Sequence, residues 1–167
     1  MATGRSTQLT GLAGEHLVAA ELCRRGFVAT TFAGNVPGFD ILGINEQSKK
    51  PIFIQVKTIR KGSWQFNAKK FLDISQSGDI QTVHGKTKLA NPDLIYVFVK
   101  LGGQNQDEFY ICKQKILQDI IYEGYSEWLS AKGGKRPKNP KSFHCRVRSK
   151  NLEHHRNDWN IITGLTK

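Results

Sequence analysis

The feature that most constrains this chain is a polar pair placed two residues apart in an otherwise apolar strand. The segment Ile52–Thr58 reads Ile-Phe-Ile-Gln-Val-Lys-Thr. Successive side chains of a strand point to opposite faces, so Gln55 and Lys57 share one face. Asp40 opens an earlier apolar strand, and a short polar turn joins the two. When such strands pair as a hairpin, an acid, an amide and an ammonium lie together at one end of a small sheet.

This combination of groups is suited to the hydrolysis of phosphate esters. The carboxylate of Asp40, the amide oxygen of Gln55 and the backbone carbonyl of Val56 are hard oxygen ligands, which Mg²⁺ accepts. A metal ion held there would assist the attack of water on phosphorus, beside the ammonium of Lys57. The residues therefore predict a Mg²⁺ site, and we expect Mn²⁺ to substitute.

A helix precedes these strands and brings a second carboxylate. It is predicted to begin at a cap at Ser6 or Thr10 and to run to about Arg25, with Gly26 as its stop. Glu15 is predicted on or beside the apolar stripe of this helix. A carboxylate in that place is costly unless it meets a cation, a metal or hydrogen-bond donors. The stripe consists of Leu12, Val18, Ala19 and Leu22.

The rest of the chain predicts an α/β fold with a mixed sheet flanked by helices. A helix from Lys113 to about Ala131 is expected to be interrupted near Gly124. The tail 152–165 is expected to begin with a helical turn. The apolar residues of that tail, Trp159, Ile161 and Ile162, are expected to pack on the body. The predicted strands are 27–32, 39–44, 51–59, a short one at Trp64 and Phe66, 94–100, 108–112 and 143–148, with a turn at 35–38 and loops from Asn67 to Pro92.

The helix with Glu15, the Gly-Phe-Asp40 strand and the Gln55-Val-Lys57 strand together resemble the PD-(D/E)xK nuclease superfamily. The resemblance covers about residues 11–60 and implies a restriction-endonuclease-like α-β-β-β-α-β core. It implies that Asp40 is the central metal ligand and that Glu15 binds the metal directly or through water. Lys57 would orient the attacking water or stabilise the charge on phosphorus. The helix is similar to that of archaeal-type Holliday-junction resolvases, and the rest of the chain resembles small uncharacterised bacterial and archaeal members only loosely.

Gln55 departs from the family, because an Asp or Glu usually stands at its position. This Q-x-K variant resembles one seen in some methylation-dependent restriction and phage-type nucleases. The substitution removes one negative charge, so we expect weaker metal binding or greater reliance on Glu15, with loss of activity as the alternative.

The positive charge of the chain is concentrated in one segment. The chain carries 25 Lys and Arg against 14 Asp and Glu, a net charge of +11, and residues 132–150 hold 8 basic and no acidic residues. Such a block suits a polyanion, because each neutralised phosphate releases counterions. A solvated loop is the alternative, and an anionic membrane surface is disfavoured because no apolar face accompanies the charge. The residues expected to contact nucleic acid are Lys135, Arg136, Lys138, Lys141, Arg146 and Arg148.

Cysteine usage and hydropathy indicate the compartment. The three scattered cysteines indicate a reduced, cytoplasmic chain without a disulfide framework. No signal peptide or membrane-spanning run is visible, so no membrane partner is expected. At 167 residues we expect one nuclease-like domain over 1–167, with a core at 8–131, the basic segment at 132–150 and a packed tail at 151–167.

Three other patterns were weighed against this site. A zinc or HNH-like site could be imagined at His144, Cys145, His154 and His155, but no pair with zinc-ligand spacing exists there. Asp93 follows Pro92 before an apolar strand but lacks the later acid and lysine, so a turn residue is expected. Trp64 and Phe66 are expected in the core, with stacking on a base as the alternative.

These observations favour a Mg²⁺-dependent DNA endonuclease, of a defence, mobile-element or junction-cutting type. Two strands need two active sites, so a homodimer on duplex or branched DNA is expected. The alternatives are a non-catalytic nucleic-acid-binding module that retains the fold, and a structural or interaction protein whose basic segment aids solubility.

Overall fold

The computed structural model describes residues 4–32, 38–103 and 106–166. The predicted turn at 35–38 lies outside the described residues except for Gly38. The helices and strands, in chain order, are α1 (Gly4–Arg24), β1 (Phe27–Thr31), β2 (Ile41–Asn45), β3 (Pro51–Ile59), β4 (Trp64–Asn67), β5 (Leu72–Ser77), β6 (Ile80–Lys86), β7 (Ile95–Lys100), β8 (Glu108–Lys113), α2 (Gln114–Ser130), β9 (His144–Val147) and α3 (Asn160–Thr163).

A five-stranded mixed sheet forms the centre of the molecule. Its strand order is β1-β2-β3-β7-β8, and every neighbouring pair is antiparallel except the parallel pair β3–β7. Short connections join the antiparallel neighbours, whereas a parallel pair needs a long crossover. The predicted mixed sheet flanked by helices is confirmed.

The two faces of this sheet bury two separate hydrophobic clusters. Strand alternation sends the even-numbered residues of β3 toward α1 and the odd-numbered residues toward the opposite face, where α2 packs over β7 and β8. The α1 side includes Val18, Leu22, Ile54, Val97, Trp159 and Ile162, and the α2 side includes Trp64, Phe98, Tyr110, Leu117, Ile121 and Val147. The tail therefore packs on the body through Trp159 and Ile162, as expected.

The crossover from β3 to β7 differs from the sequence prediction. It holds β4, a three-residue 3-10 helix at Ala68–Lys70 and the hairpin β5–β6, where an α-β-β-β-α-β order has a helix and where we predicted loops. The hairpin is polar, and its inward residues include Gln81, whose amide donates to the carbonyl oxygens of Pro140 (2.5 Å) and Ser142 (3.1 Å). In β5 the buried apolar alternation is limited to Leu72 and Ile74, and in β6 the buried residue is the polar Gln81, so the hydrophobic pattern was too short to reveal the strands.

Two helix predictions also need correction. Helix α2 continues through Gly124, because a glycine on an open helix face costs stability without breaking the helix. Helix α1 begins at Gly4, before either predicted cap, and Leu12 is exposed rather than part of the buried stripe. Gly26 ends α1 as predicted, with a φ of 80° that favours glycine.

The cysteines form no disulfide within the described residues. Cys112 and Cys145 are buried, and burial raises the pKa of each thiol to about 12, whereas Cys23 is exposed. None of the described helices combines the length and the apolar character that crossing a membrane requires.

Candidate active site

Asp40 lies where the pairing of β2 with β3 ends. The last paired residues are Ile41 and Ile54, and the N–H of Asp40 donates to the Ile54 carbonyl oxygen at 2.8 Å. Two residues further along β3, Oδ2 of Asp40 accepts the N–H of Val56 at 2.7 Å. The side chain therefore occupies the place of a missing strand partner. This contact fixes the carboxylate at the open end of β2, while no donor among the described residues contacts its Oδ1.

Gln55 and Val56 are the residues that contact the carboxylate of Asp40. Nε2 of Gln55 donates to Oδ2 of Asp40. The N–H and C=O of one strand residue point to the same edge of the strand, so the Val56 carbonyl is directed to the Asp40 side as well. Rotation of the Gln55 amide by half a turn would place its oxygen where its nitrogen lies, and two oxygens there repel unless a cation separates them.

Glu15 approaches this site from α1. Its side chain is half-buried, and its pKa is raised first by burial and then by the negative charge of Asp40, while His16 and Lys57 oppose the shift. Gly14 makes this approach possible, because a Cβ at this position would lie 1.9 Å from Oγ1 of Thr58 on β3. The helix thus touches the strand at its glycine, and the next residue is the acid.

Lys57 shares the face of Gln55 and is half-buried. Within the described part of the chain its ammonium forms no ion pair. The four predicted side chains therefore belong to one region. Gln55 donates a hydrogen bond to Asp40, and the charge of Asp40 raises the pKa of Glu15. Lys57 lies on β3 beside Gln55, and its charge lowers the pKa of Glu15. The predicted site residues thus lie close together, although their roles stay predictions.

The donor set of this region fits a hard divalent cation. Two carboxylates, an amide oxygen and a backbone carbonyl are ligands that Mg²⁺ accepts together with water. Among the described residues, no group of three or more His, Cys, Asp and Glu side chains could hold a metal. A metal here would therefore depend on the neutral oxygens of Gln55 and Val56 as well as on Glu15 and Asp40.

A cleft of about 520 Å³ opens next to these residues, on the sheet face opposite α1. We call it the aromatic cleft. Gln55, Lys57 and Tyr96 line it from the sheet, and Phe66, Phe143 and His144 line it from the β4–β9 ribbon and the segment before β9. Tyr96 is a direct neighbour of Gln55 in the β3–β7 pairing, and its pKa is raised by burial and by the charge of Asp40.

The basic residues predicted to contact nucleic acid divide into two groups. Lys135 is ion-paired with Asp79 at 2.6 Å, and Arg136 lies over the ring of Trp128 and donates to the carbonyl oxygen of His144 at 2.8 Å. The other four are exposed and make no ion pair within the described residues. These are Lys138, Lys141, Arg146 and Arg148.

Arg146 and Arg148 alternate with His144 along β9 and its end, so all three point to one face. Arg146 lies opposite Gln65, and both Gln65 and His144 line the aromatic cleft. This face therefore extends the positive charge of Lys57 and Lys70, which lie at the cleft itself.

The structure separates the residues of the imagined zinc site. Cys145 is buried in the α2 cluster, whereas His144 faces the aromatic cleft on the opposite side of β9. His154 and His155 lie in a short 3-10 helix, where burial lowers the pKa of His155. Asp93 lies in a turn, as predicted, and is ion-paired with Lys113 at 2.8 Å.

Sequence reasoning missed Gly14, Tyr96 and most of the aromatic cleft. The adjacent Gly14 and Glu15 carry a recognisable signal, since a glycine within a helix often marks close approach of another backbone or side chain. Tyr96 was hidden in a uniformly apolar strand, and the β4–β9 ribbon joins residues about 80 positions apart.

Comparisons with known proteins bear on the fold. No protein-family model matches the chain, and no curated protein matches it significantly. Among solved structures, the chain is similar to a bacterial homing endonuclease, I-Ssp6803I, with a TM-score of 0.53 and 11% sequence identity. The superposition covers 96% of this chain and 95% of that chain. At this identity the similarity shows a shared fold, and that fold is one found in a nuclease.

Proposed function

We propose that this protein is a metal-dependent DNA endonuclease of the PD-(D/E)xK type in which Gln55 stands in for the usual acid. One observation carries the proposal. The Val56 N–H holds Asp40 at the open end of β2, where its charge raises the pKa of Glu15. Asp40 also lies beside Gln55 and Lys57. The fold shared with a homing endonuclease supports the class of activity.

Each residue has a distinct part in this proposal. Asp40 and Glu15, with the oxygens of Gln55 and Val56, would hold Mg²⁺, or Mn²⁺ in its place. The metal would supply a Lewis acid that increases the acidity of water and neutralises phosphate charge. Burial and the charge of Asp40 raise the pKa of Glu15, which makes its carboxylate a stronger base toward a proton of the attacking water.

Lys57 would stabilise the negative charge that grows on the phosphate oxygens. Lys57 is half-buried, which strengthens such a contact, and its ammonium forms no ion pair within the described residues. As the water oxygen bonds to phosphorus, the bond from phosphorus to the leaving oxygen breaks, and that oxygen takes up a proton.

The DNA would be held by the exposed cations that have no acidic partner within the described residues. Arg146 and Arg148 are the first of these, followed by Lys138 and Lys141. We propose a homodimer, because a break in both strands needs two such sites. Sedimentation of the protein alone and with duplex DNA measures this directly. A single 18.8 kDa species without DNA and one chain per duplex with DNA would exclude the dimer.

Asp40→Asn tests the proposal. It keeps an oxygen for the Val56 N–H but removes the charge, so cleavage of supercoiled DNA with Mg²⁺ should fall by about 100-fold or more. Asp93→Asn is the matched control, because Asp93 lies in an exposed turn paired with Lys113. Equal cleavage by wild type and Asp40→Asn would exclude this site.

Gln55→Glu tests whether residue 55 is a ligand of the metal. A restored carboxylate should lower the Mg²⁺ concentration needed for half-maximal cleavage by about tenfold, since each added charge strengthens a hard-cation site. An unchanged Mg²⁺ dependence would show that Gln55 is not a ligand.

A non-catalytic DNA-binding module is the second candidate, and the Gln55–Asp40 hydrogen bond favours it. An amide N–H satisfies the carboxylate without a metal. This candidate predicts salt-dependent DNA binding without cleavage by the wild type, and cleavage only after Gln55→Glu.

A further inference from the structure

The aromatic cleft has a composition that the cleavage chemistry alone does not require. Among the described residues, its lining consists of aromatic, amide, hydroxyl and basic side chains and includes no acidic one. A volume of about 520 Å³ falls in the range of ligand sites, and the cleft shares Gln55 and Lys57 with the candidate active site. Its charge suits a ligand that carries a phosphate, and its position places that phosphate beside Asp40.

The walls of the cleft offer ring surfaces to a planar ligand. Phe66 and Phe143 are half-buried, and Phe71 lies beneath Phe66 with the ring centroids 5.8 Å apart. The ammonium of Lys69 lies 4.4 Å from the centre of the Phe143 ring, which holds this side chain at the cleft. Aromatic rings in a positively charged groove are the usual platform for unpaired bases, because every base has a π face.

The hydrogen-bonding groups of the cleft are only partly used by the protein. Tyr96 is 8% exposed, yet its hydroxyl makes no hydrogen bond to any described residue. Asn67 uses Oδ1 to accept the N–H of Lys69, which leaves its Nδ2. Gln65 uses Nε2 to donate to Ser63, which leaves its Oε1. The cleft therefore presents a hydroxyl, a donor and an acceptor, which are the groups that contact base edges.

We propose that the aromatic cleft binds the base of an unpaired nucleotide next to the phosphate that is cut. This inference rests on the proposed function and narrows it to DNA that contains an unpaired nucleotide, such as a bulge or a branch point. A paired base in a continuous duplex cannot enter, because it is stacked and its Watson–Crick edge is occupied. The Phe66 and Phe143 rings stack on the base, Tyr96 contacts its edge, and Lys57 contacts the adjoining phosphate.

The test measures binding without cleavage. The full chain is mixed with Ca²⁺ in place of Mg²⁺ and with a duplex that carries one bulged 2-aminopurine, a fluorescent base. The comparison duplexes hold the same base fully paired, or an abasic bulge. We expect the bulged base to be bound about tenfold more tightly than either, with quenching of its fluorescence by stacking. Equal affinity for the bulged and the fully paired duplex would overturn the proposal.

Two conservative variants locate the effect. Tyr96→Phe removes only the hydroxyl and should weaken binding of the bulged duplex about fivefold, with the paired duplex unchanged. Phe143→Leu keeps an apolar side chain but removes the ring, and should reduce the quenching. Phe109→Leu is the matched control, because Phe109 packs on Trp159 in the other cluster. Quenching that survives Phe143→Leu, or that falls equally in Phe109→Leu, would overturn the assignment.

The same measurements separate this inference from the proposed function. A protein that binds the bulged base selectively but cuts nothing with Mg²⁺ supports the cleft and excludes the endonuclease. A protein that cuts paired and bulged DNA equally well, and binds both equally, excludes the cleft and leaves the endonuclease in place.

Discussion

The positive side chains around the aromatic cleft and those around α2 differ in the groups that lie beside them. Near α2, Lys86 pairs with Asp119 at 2.7 Å, Lys135 pairs with Asp79, and Arg136 lies 4.9 Å from the ring centre of Trp128. Around the cleft, Lys57 and Lys70 have no acidic partner within the described residues. Arg146 on β9 also forms no ion pair within the described residues.

This difference shows which part of the net charge serves the fold. A cation with a carboxylate or a ring beside it contributes to packing and has little left to offer a polyanion. A cation without a partner stays hydrated and can exchange its water for phosphate. The basic segment therefore contains side chains that the fold holds and side chains that are open to solvent, although its composition looks uniform.

The largest expected effect comes from Lys57→Ala. Cleavage should fall by about 10²- to 10³-fold, because a charge aimed at the reacting phosphate is lost. The free energy of unfolding should change by less than about 0.5 kcal/mol, since no ion pair is lost. Lys100→Ala is the control, because it breaks the pair with Glu108 (2.6 Å) on the same sheet and should alter stability without altering cleavage. Similar cleavage by the two variants would contradict the difference between unpaired and ion-paired lysines.

The next effect concerns DNA affinity. Arg146→Gln combined with Arg148→Gln should reduce the slope of log affinity against log salt by about two, and the affinity near 100 mM salt by about tenfold.

Lys113→Gln combined with Lys135→Gln removes the same charge from ion-paired positions and should have a much smaller effect. Equal slopes in the two double variants would mean that overall charge, and not position, decides binding.

Arg136→Ala should lower the stability of the fold more than it lowers the affinity for DNA, in contrast to the Arg146 and Arg148 variants. It loses the contact with Trp128 and the hydrogen bond to the His144 carbonyl, so urea unfolding should show a loss of about 1–3 kcal/mol. Arg136→Lys keeps the charge but loses the planar contact, and should recover only part of this loss. A changed salt slope with unchanged stability would contradict the structural role.

The smallest effect is expected from Glu15→Gln. The pKa of Glu15 is raised in the folded protein, so its ionised form is a cost to folding above that pKa. At pH 8 without metal the variant should be the more stable protein. The difference should vanish as the pH falls toward the ordinary value of 4.5, where wild-type Glu15 is also neutral.

Thermal unfolding over this pH range measures the effect, and Mg²⁺ should stabilise the wild type more than the variant. A variant that is less stable at pH 8 would show that Glu15 is held by favourable contacts instead.

The strands of the main sheet were accessible from sequence because each is a short apolar run with local turn signals. The bounds of β3 agree with the prediction, and the Asp40–Gln55 contact follows from a hairpin of adjacent strands. The β4–β9 ribbon pairs residues far apart in the chain, and the β5–β6 hairpin packs through distant contacts such as Gln81 with Pro140. The aromatic cleft is formed by those distant pairings, so its residues could not be grouped in advance.

The candidate site joins side chains of the central sheet to one side chain of α1, and these meet where Gly14 packs on Thr58. Asp40, Gln55 and Lys57 are anchored in or beside the hydrogen-bonded sheet, and they persist as long as the sheet does. Glu15 is carried by a helix whose main contacts are with the β1–β3 half of that sheet. A local opening of α1 would remove one carboxylate while the others stay in place. Hydrogen exchange of the α1 amides therefore reports how much of the time the full set of ligands is assembled.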